Sequence, residues 1–122
     1  MKKVLISLGL TIFVTTNAFA DFSGEYVKKN SGVDVKQQGN TVNFSINSSV
    51  GQNACNLEGT AMMIDAKSAA FTPEDKSNMC VVLFDFAVGR LKVTTKECDG
   101  YCGMNAEGSM DGSYRKKTAQ KK

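Results

Sequence analysis

Four cysteines are the residues of this 122-residue chain best suited to chemistry: Cys55, Cys80, Cys98 and Cys102. Their spacing lacks the Cys-x-x-Cys of thioredoxin-type redox motifs and the paired Cys-x-x-Cys of common zinc sites. An even number of cysteines in a small exported chain instead predicts two disulfides, and three pairings are possible. We favour Cys55–Cys80 together with Cys98–Cys102, because the second pair would staple a tight loop.

The chain contains no histidine, which removes Ser-His-Asp and Cys-His nucleophilic systems and histidine metal sites. Paired carboxylates are the remaining route to acid–base catalysis, and the candidates are Glu25, Glu58, Asp65 and Asp85. No spacing singles out two of them, and strand alternation puts Glu58 and Asp85 on outward faces. The glycines between Gly100 and Gly112 fit no phosphate-binding loop. We therefore predict a protein that is not an enzyme and has no cofactor and no metal.

The first twenty residues predict export. Lys2 and Lys3 precede an apolar run from Val4 to Val14, and Ala18-Phe19-Ala20 supplies the small–x–small pattern that a signal peptidase reads. The apolar run is too short to cross a hydrocarbon core of roughly 30 Å. We therefore predict a signal peptide over residues 1–20, no transmembrane span, and a periplasmic or extracellular location.

The charge is distributed unevenly along the rest of the chain. Between Asp21 and Tyr114 there are eight basic and twelve acidic residues, whereas five of the last eight residues are basic. A mildly acidic body with a basic end is not the basic stripe of a nucleic-acid-binding protein, so no nucleic acid is expected as a partner. We predict a disordered basic tail over residues 117–122, with adhesion to anionic lipid or polymer as the alternative.

The period of two that is typical of half-buried strands runs through the chain. It is clearest over 41–47, where Val42, Phe44 and Ile46 share one face, and over 80–86, where Phe84 and Phe86 share another. These large inward residues favour a filled interior. Turn residues separate the runs at short intervals, so we predict eight short strands in an antiparallel meander. The strands are expected near 22–29, 32–38, 41–48, 54–65, 68–72, 79–87, 90–96 and 107–116.

Two segments near the ends of this region repeat a pattern. Residues 24–29 and residues 112–117 both read Gly-x-Tyr-x-Lys-Lys. If the first and last strands pair, the sheet closes and has no free outer edges. The predicted fold is therefore all-β, a single-domain antiparallel barrel or barrel-like sandwich over residues 21–116.

The glycine-rich stretch that follows Cys98 is the best candidate for a binding loop, because functional contacts concentrate on loops held by a rigid scaffold. Tyr101 and Met104 are of the types that dominate interface energies, and Asp99 could add a polar contact. We predict that these three residues contact a partner.

The segments Cys55…Cys80-Val-Val-Leu-Phe-Asp-Phe, Cys98…Cys102-Gly103 and Gly112-Ser-Tyr114 resemble the layout of periplasmic lysozyme inhibitors, which are small exported bacterial β-proteins. The resemblance implies a disulfide-stapled antiparallel barrel that inserts a loop into the active-site cleft of lysozyme. In several branches of that family a Ser-Gly-x-x-Tyr motif carries the inhibitory contacts. Here Ser23-Gly24-Glu25-Tyr26 is one residue shorter than that motif.

The leading hypothesis is therefore a periplasmic inhibitor or immunity-type partner of a lysozyme or another cell-wall hydrolase. An acidic body would complement a basic hydrolase and speed their encounter. The alternatives are a lipocalin-like carrier of a small ligand, since eight strands can enclose one small molecule, and a structural protein of the envelope. The sequence does not indicate an oligomeric state.

Overall fold

The computed structural model describes residues 20–118, in which eight antiparallel strands close into a barrel. The predicted signal peptide, apart from Ala20, and the last four residues of the predicted tail lie outside the described residues. Each strand pairs with its neighbour in the chain, as predicted for a meander. The strands are β1 Gly24–Lys28, β2 Ser31–Gln38, β3 Thr41–Val50, β4 Asn53–Met63, β5 Ser68–Phe71, β6 Val81–Ala87, β7 Arg90–Lys96 and β8 Gly112–Lys116.

The last strand begins five residues later than predicted. Residues 107–111 form turns that lead into β8 at Gly112, and a short 3-10 helix, Asp99–Tyr101, starts the long connection from β7. Gly108 has a φ of 83°, which interrupts extended backbone. The Asp111 carboxylate then accepts hydrogen bonds from the backbone N–H and the hydroxyl of Thr95, both at 2.7 Å, and so fixes the entry to the strand.

Closure between β1 and β8 confirms the prediction made from the repeated pattern. Tyr26 lies opposite Lys116, and Val27 lies opposite Arg115. The two tyrosines of the repeat are equivalent in their surroundings. The Tyr26 hydroxyl donates to the Phe22 carbonyl at 2.7 Å, and the Tyr114 hydroxyl donates to the Met110 carbonyl at 2.7 Å.

A lysine of each repeat lies over the tyrosine ring of the other repeat, across the seam between β1 and β8. The Lys116 ammonium lies 5.9 Å from the centre of the Tyr26 ring, and the Lys28 ammonium lies 5.4 Å from the centre of the Tyr114 ring. Such cation–π contacts stabilise by about 0.5–1 kcal/mol at exposed sites. The seam is therefore held by a pair of symmetric aromatic contacts in addition to its few backbone hydrogen bonds.

Alkaline pH is expected to unfold this seam. Burial raises the pKa of Tyr114 to about 12 and also raises the pKa of Tyr26, whereas an unfolded tyrosine titrates near 10. The stabilisation from the neutral phenols is complete below about pH 10 and is lost as the pH rises towards about 12. Absorbance at 295 nm should show delayed ionisation that coincides with the loss of the circular dichroism of the sheet.

Tyr114→Phe is the control for this prediction. It should flatten the fall in stability between about pH 10 and 12, while lowering stability at neutral pH by about 1 kcal/mol through the lost hydrogen bond. Ionisation of all tyrosines near pH 10 in a protein that stays folded would contradict the assignment.

The barrel interior is filled by side chains, as the large inward residues predicted. The ring of Phe84 is fully buried, and its centre lies 4.8 Å from that of Phe44, which in turn lies 5.1 Å from that of Phe71. Val42 and Ile46 on β3 are also fully buried. Side chains therefore occupy the space in which a lipocalin-like carrier would hold its ligand, and the interior gives the carrier hypothesis no support.

One strand contributes small inward residues where the aromatic cluster needs room. On β4 the inward row is Leu57, Gly59 and Ala61, and an added Cβ at Gly59 would lie 2.5 Å from the Phe71 ring. Gly59→Ala is therefore expected to cost about 1–3 kcal/mol of unfolding free energy through overpacking. Gly32→Ala is the matched control, because a Cβ there would meet nothing closer than 3.7 Å. Equal urea midpoints for the two variants would contradict this account.

The predicted disulfide pairing is wrong. The bonds are Cys55–Cys102 and Cys80–Cys98, with Cα–Cα distances of 3.9 and 4.4 Å. Cys80 precedes β6 and Cys98 follows β7, so the β6–β7 hairpin brings these two together. Cys55 on β4 lies opposite Cys102 in an isolated β-bridge. Cys98 and Cys102 instead flank the 3-10 helix at its two ends.

Candidate functional site

The two ends of the barrel differ in the length of their connections. The apical end, as we name it, carries the turns at 29–30 and 51–52 and the long loops 72–80 and 97–111. The basal end carries the turns at 39–40 and 88–89 and the loop 64–67. Both disulfides lie at the apical end, which makes this end the candidate functional site.

Charge is also separated along the barrel axis. The two apical loops contain six carboxylates and one cation: Glu74, Asp75, Lys76, Glu97, Asp99, Glu107 and Asp111. The turn and the strand termini at the same end add three cations, Lys28, Lys29 and Lys96. The basal end and the strand termini that reach it contain five cations and three carboxylates: Lys67, Arg90, Arg115, Lys116, Lys117, Asp21, Glu25 and Asp65. The apical end is therefore net negative by two charges and the basal end net positive by two, and the apical negative charge is carried by the two long loops.

The loop 97–111 is fixed to the barrel by covalent and noncovalent contacts. Cys102 is bonded to Cys55, and the next residue, Gly103, donates its N–H to the Ala54 carbonyl at 2.8 Å. Ala106 and Met110 are buried and so plug the apical end of the core. Because both flanks of the loop are held, its exposed tip is presented in a defined position.

The structure brings the three predicted contact residues to this loop but in different settings. Asp99 is exposed, and Met104 is 74% exposed at the tip. Tyr101 is partly buried because it packs against the core, and its hydroxyl accepts a hydrogen bond from the Asn78 side-chain amide at 3.0 Å. Asp99 and Met104 are therefore available for contact, while Tyr101 also joins the two apical loops.

Sequence reasoning missed a second exposed methionine in the other apical loop. Met79 is 63% exposed and immediately precedes Cys80, and Val50 beside the β3–β4 turn is 44% exposed. The sequence did contain a signal: Met79 directly precedes the inward-facing Cys80, so strand alternation places the Met79 side chain on the outward face. Methionine packs adaptably against irregular partner surfaces, so Met79 and Met104 give the apical end two apolar contacts among its carboxylates.

A local turn also keeps one of the apical acids ionised. The Ser77 backbone N–H and hydroxyl both donate to the Asp75 carboxylate, and these hydrogen bonds lower the pKa of Asp75. The Asp75 carboxylate therefore stays ionised to a lower pH than an ordinary aspartate does.

The carboxylates considered for catalysis are dispersed over the barrel wall. Glu25 on β1 forms an exposed ion pair with Lys117 at 3.8 Å, and Asp85 on β6 accepts a hydrogen bond from Ser68. Asp65 lies in the basal loop, and Glu58 points outward from β4, as predicted. The three that lie on strands, Glu25, Glu58 and Asp85, are on β1, β4 and β6, which are not neighbours in the sheet, so they are not paired across adjacent strands.

Residues 20–118 contain neither a metal-ligand cluster nor a candidate membrane-spanning helix. In this range no group of three or more histidine, cysteine, aspartate or glutamate residues is arranged to hold a metal ion. The same range has no helix with the length and apolarity that a membrane span requires.

Two grooves lie on the outer wall of the barrel, the larger across β1–β3 and the smaller across β2–β4. The larger, of about 580 Å³, is bordered by Ser23, Asp34, Lys36 and Asn43, and the smaller, of about 290 Å³, is bordered mainly by asparagine and serine side chains. Both grooves open on the outside of the barrel. The lining of the larger groove also includes Val35 and Phe44, and its two charged residues, Asp34 and Lys36, are exposed.

The tyrosine of the shortened inhibitor-like motif is not accessible. Tyr26 is 1% exposed, because it closes the seam with β8. It cannot touch a partner in this fold. Comparisons with protein-family models, with curated proteins and with solved structures found no match to this chain.

Proposed function

We propose that this is an exported, non-catalytic binding protein whose apical end inhibits a basic cell-wall hydrolase of the lysozyme type. The observation that carries the proposal is the pair of exposed methionines, Met79 and Met104, set among carboxylates on loops anchored by both disulfides. Exposed apolar anchors surrounded by a charged rim are the usual anatomy of a protein–protein contact.

Rigidity supports inhibition rather than transient contact. Loop 97–111 is tied to β4 through Cys55–Cys102. The two apical loops are tied to each other through Cys80–Cys98 and through the hydrogen bond between Asn78 and Tyr101. A loop that is already ordered loses less conformational entropy when it enters a cleft. The same order holds Met104 away from the barrel surface, where a cleft could receive it.

The charge separation supports a basic partner. A cationic hydrolase would be attracted to the apical end and repelled by the basal end, which orients the encounter before contact. Disulfide-rich barrels of this size are typical of oxidising compartments, where wall hydrolases also act. The dispersed carboxylates and the absence of histidine favour binding over turnover.

Substitution at the loop tip tests this proposal. Met104→Ser should weaken inhibition of a basic lysozyme by about tenfold or more, because it removes an apolar anchor. Val88→Ser is the matched control, since Val88 is 99% exposed at the basal end and should contribute nothing. Inhibition constants measured at several salt concentrations should also weaken as salt screens the apical carboxylates.

Charge reversal supplies the second arm. Asp99→Lys should slow association, whereas Asp65→Lys at the basal end should leave the rate unchanged or raise it. The proposal is wrong if Met104→Ser and Val88→Ser inhibit equally. It is also wrong if neither the wild type nor any variant inhibits any member of a panel of basic wall hydrolases.

A further inference from the structure

The barrel has an open edge where β4 outgrows β5. Strand β4 has eleven residues, but only Met62 and Met63 pair with β5, opposite Ala70 and Ala69. Nearer the apical end, Cys55 is bridged to Cys102. Between these two points, β4 pairs on one side only, with β3.

The hydrogen-bond register shows which backbone groups face the opening. The Met63 N–H donates to the Asn40 carbonyl at 2.8 Å, so the odd-numbered residues of β4 turn their backbone groups towards β3. The next residue, Ile64, donates to the Ser68 carbonyl at 2.8 Å, on the β5 side. The N–H and C=O groups of Glu58 and Thr60 therefore face the side that β5 would occupy.

These groups have no partner among the described residues. Had β5 continued, Thr72 would have paired with Thr60, but Pro73 follows at once and the chain leaves the sheet. None of the backbone or side-chain hydrogen bonds within residues 20–118 involves the backbone of Glu58 or Thr60 on this side. Both residues are exposed, so the edge is open to solvent.

We propose that this edge binds an extended basic peptide segment of a partner as an added antiparallel strand. Addition of a strand to an open sheet edge uses backbone hydrogen bonds for affinity and alternate side chains for selectivity. The edge offers two donors and two acceptors at Glu58 and Thr60, spaced as an extended chain requires. This site lies on the barrel wall, and its existence does not depend on the hydrolase proposal.

The charges around the edge select the occupant. Glu58 projects from the edge itself, and the loop that departs beside it carries Glu74 and Asp75 together with Lys76, all exposed. Lysine or arginine at alternate positions of the added strand would lie beside these carboxylates. A second copy of the chain is disfavoured, because antiparallel pairing of two β4 edges would bring Glu58 close to the Glu58 of the other copy.

Amide hydrogen exchange tests the premise and the binding together. In the free protein, the amides of Glu58 and Thr60 should exchange much faster than those of Leu57 and Gly59, which face β3. Addition of the synthetic peptide acetyl-Lys-Thr-Lys-Val-Lys-Thr-Lys-amide should slow exchange at Glu58 and Thr60. The same peptide with every amide N-methylated keeps its charge but cannot pair, so it should protect neither amide.

Variants measure the contribution of each feature. Thr60→Pro removes an edge-facing donor and keeps the backbone ladder with β3, but it also removes the hydrogen bond from the Thr60 hydroxyl to Asn43. It should weaken peptide binding by about tenfold. Glu58→Lys retains the backbone and should weaken binding at low salt but much less at high salt. Asp85→Lys is the matched control on β6, a strand paired on both sides, and it should bind the peptide as the wild type does.

The outcomes are decisive in each case. Slow exchange at Glu58 and Thr60 in the free protein would remove the premise, whatever the variants do. Equal binding of the parent and N-methylated peptides would mean electrostatic adsorption and would overturn strand addition, as would absence of binding by the parent peptide. Dimerisation of a Glu58→Gln variant, which carries no charge at this position, would show that the edge pairs with a second copy once the repulsion is removed, and it would overturn binding of a basic segment. If Thr60→Pro does not fold, the exchange data and Glu58→Lys still decide.

Discussion

Replacement of Cys55 and Cys102 together by alanine is expected to lower the free energy of unfolding by about 3–4 kcal/mol. The bond joins residues 47 apart, and closing a loop of that length removes a large part of the entropy of the unfolded chain. For a domain of this size such a loss is a large fraction of a total stability of about 5–15 kcal/mol. Urea unfolding of the oxidised proteins measures it directly.

The second disulfide provides the comparison. Cys80 and Cys98 are only 18 residues apart, so replacing both by alanine should cost roughly 1 kcal/mol less unfolding free energy than replacing Cys55 and Cys102. The two variants should also differ in function. Loss of Cys55–Cys102 releases the loop that carries Met104 and should abolish inhibition of a basic hydrolase while the barrel stays folded. A Cys55→Ala/Cys102→Ala protein with unchanged stability would contradict the covalent anchoring of the loop.

Phe84→Ala is expected to lower the free energy of unfolding by about 3–5 kcal/mol, because it leaves a cavity at the centre of the barrel. The Phe84 side chain is fully buried, and its ring contacts that of Phe44 at a centre-to-centre distance of 4.8 Å. The neighbouring residue provides a matched control. Leu83 points outward from the same strand and is 38% exposed, so Leu83→Ala should cost less than about 1 kcal/mol. Similar thermal midpoints for the two variants would show that the inward and outward faces of β6 had been assigned wrongly.

Strand positions were predictable because alternation is strong in this chain. On β3 and β6 every second residue is buried, and the large inward residues Phe44, Phe84 and Phe86 had no other place to go. Closure between β1 and β8 was predictable from the repeat around Tyr26 and Tyr114. A meander with short turns leaves few alternative topologies once both ends carry the same closing pattern.

The loop and its cysteines were less predictable, because their arrangement depends on register rather than on composition. Proximity in sequence favoured Cys98–Cys102, but the β6–β7 hairpin decides the pairing. Counting back from the tight turn at Val88-Gly89 places Cys80 opposite Glu97, one residue from Cys98. The hairpin was predicted, so this register was available from the sequence. The bridge from Cys55 to Cys102 joins β4 to a distant loop and had no local signal.

The two exposed methionines that we propose as contacts were visible in the sequence only in part, for a similar reason. Met104 was identified because it lies in a glycine-rich loop, whereas Met79 lies in the loop before β6 and reaches the same end only through the barrel topology. The open edge at Glu58 and Thr60 was not visible in the sequence either. It arises because β5 ends at Phe71 while β4 continues, and relative strand length is a property of the folded sheet.

Titration of a basic lysozyme with the purified protein tests the central claim most directly. Residual hydrolase activity should fall linearly with added protein and reach its minimum at one molecule per enzyme, with the inhibitor recovered intact from the complex. Full hydrolase activity at a hundredfold excess of the protein, or progressive conversion of a wall substrate by the protein alone, would contradict the account.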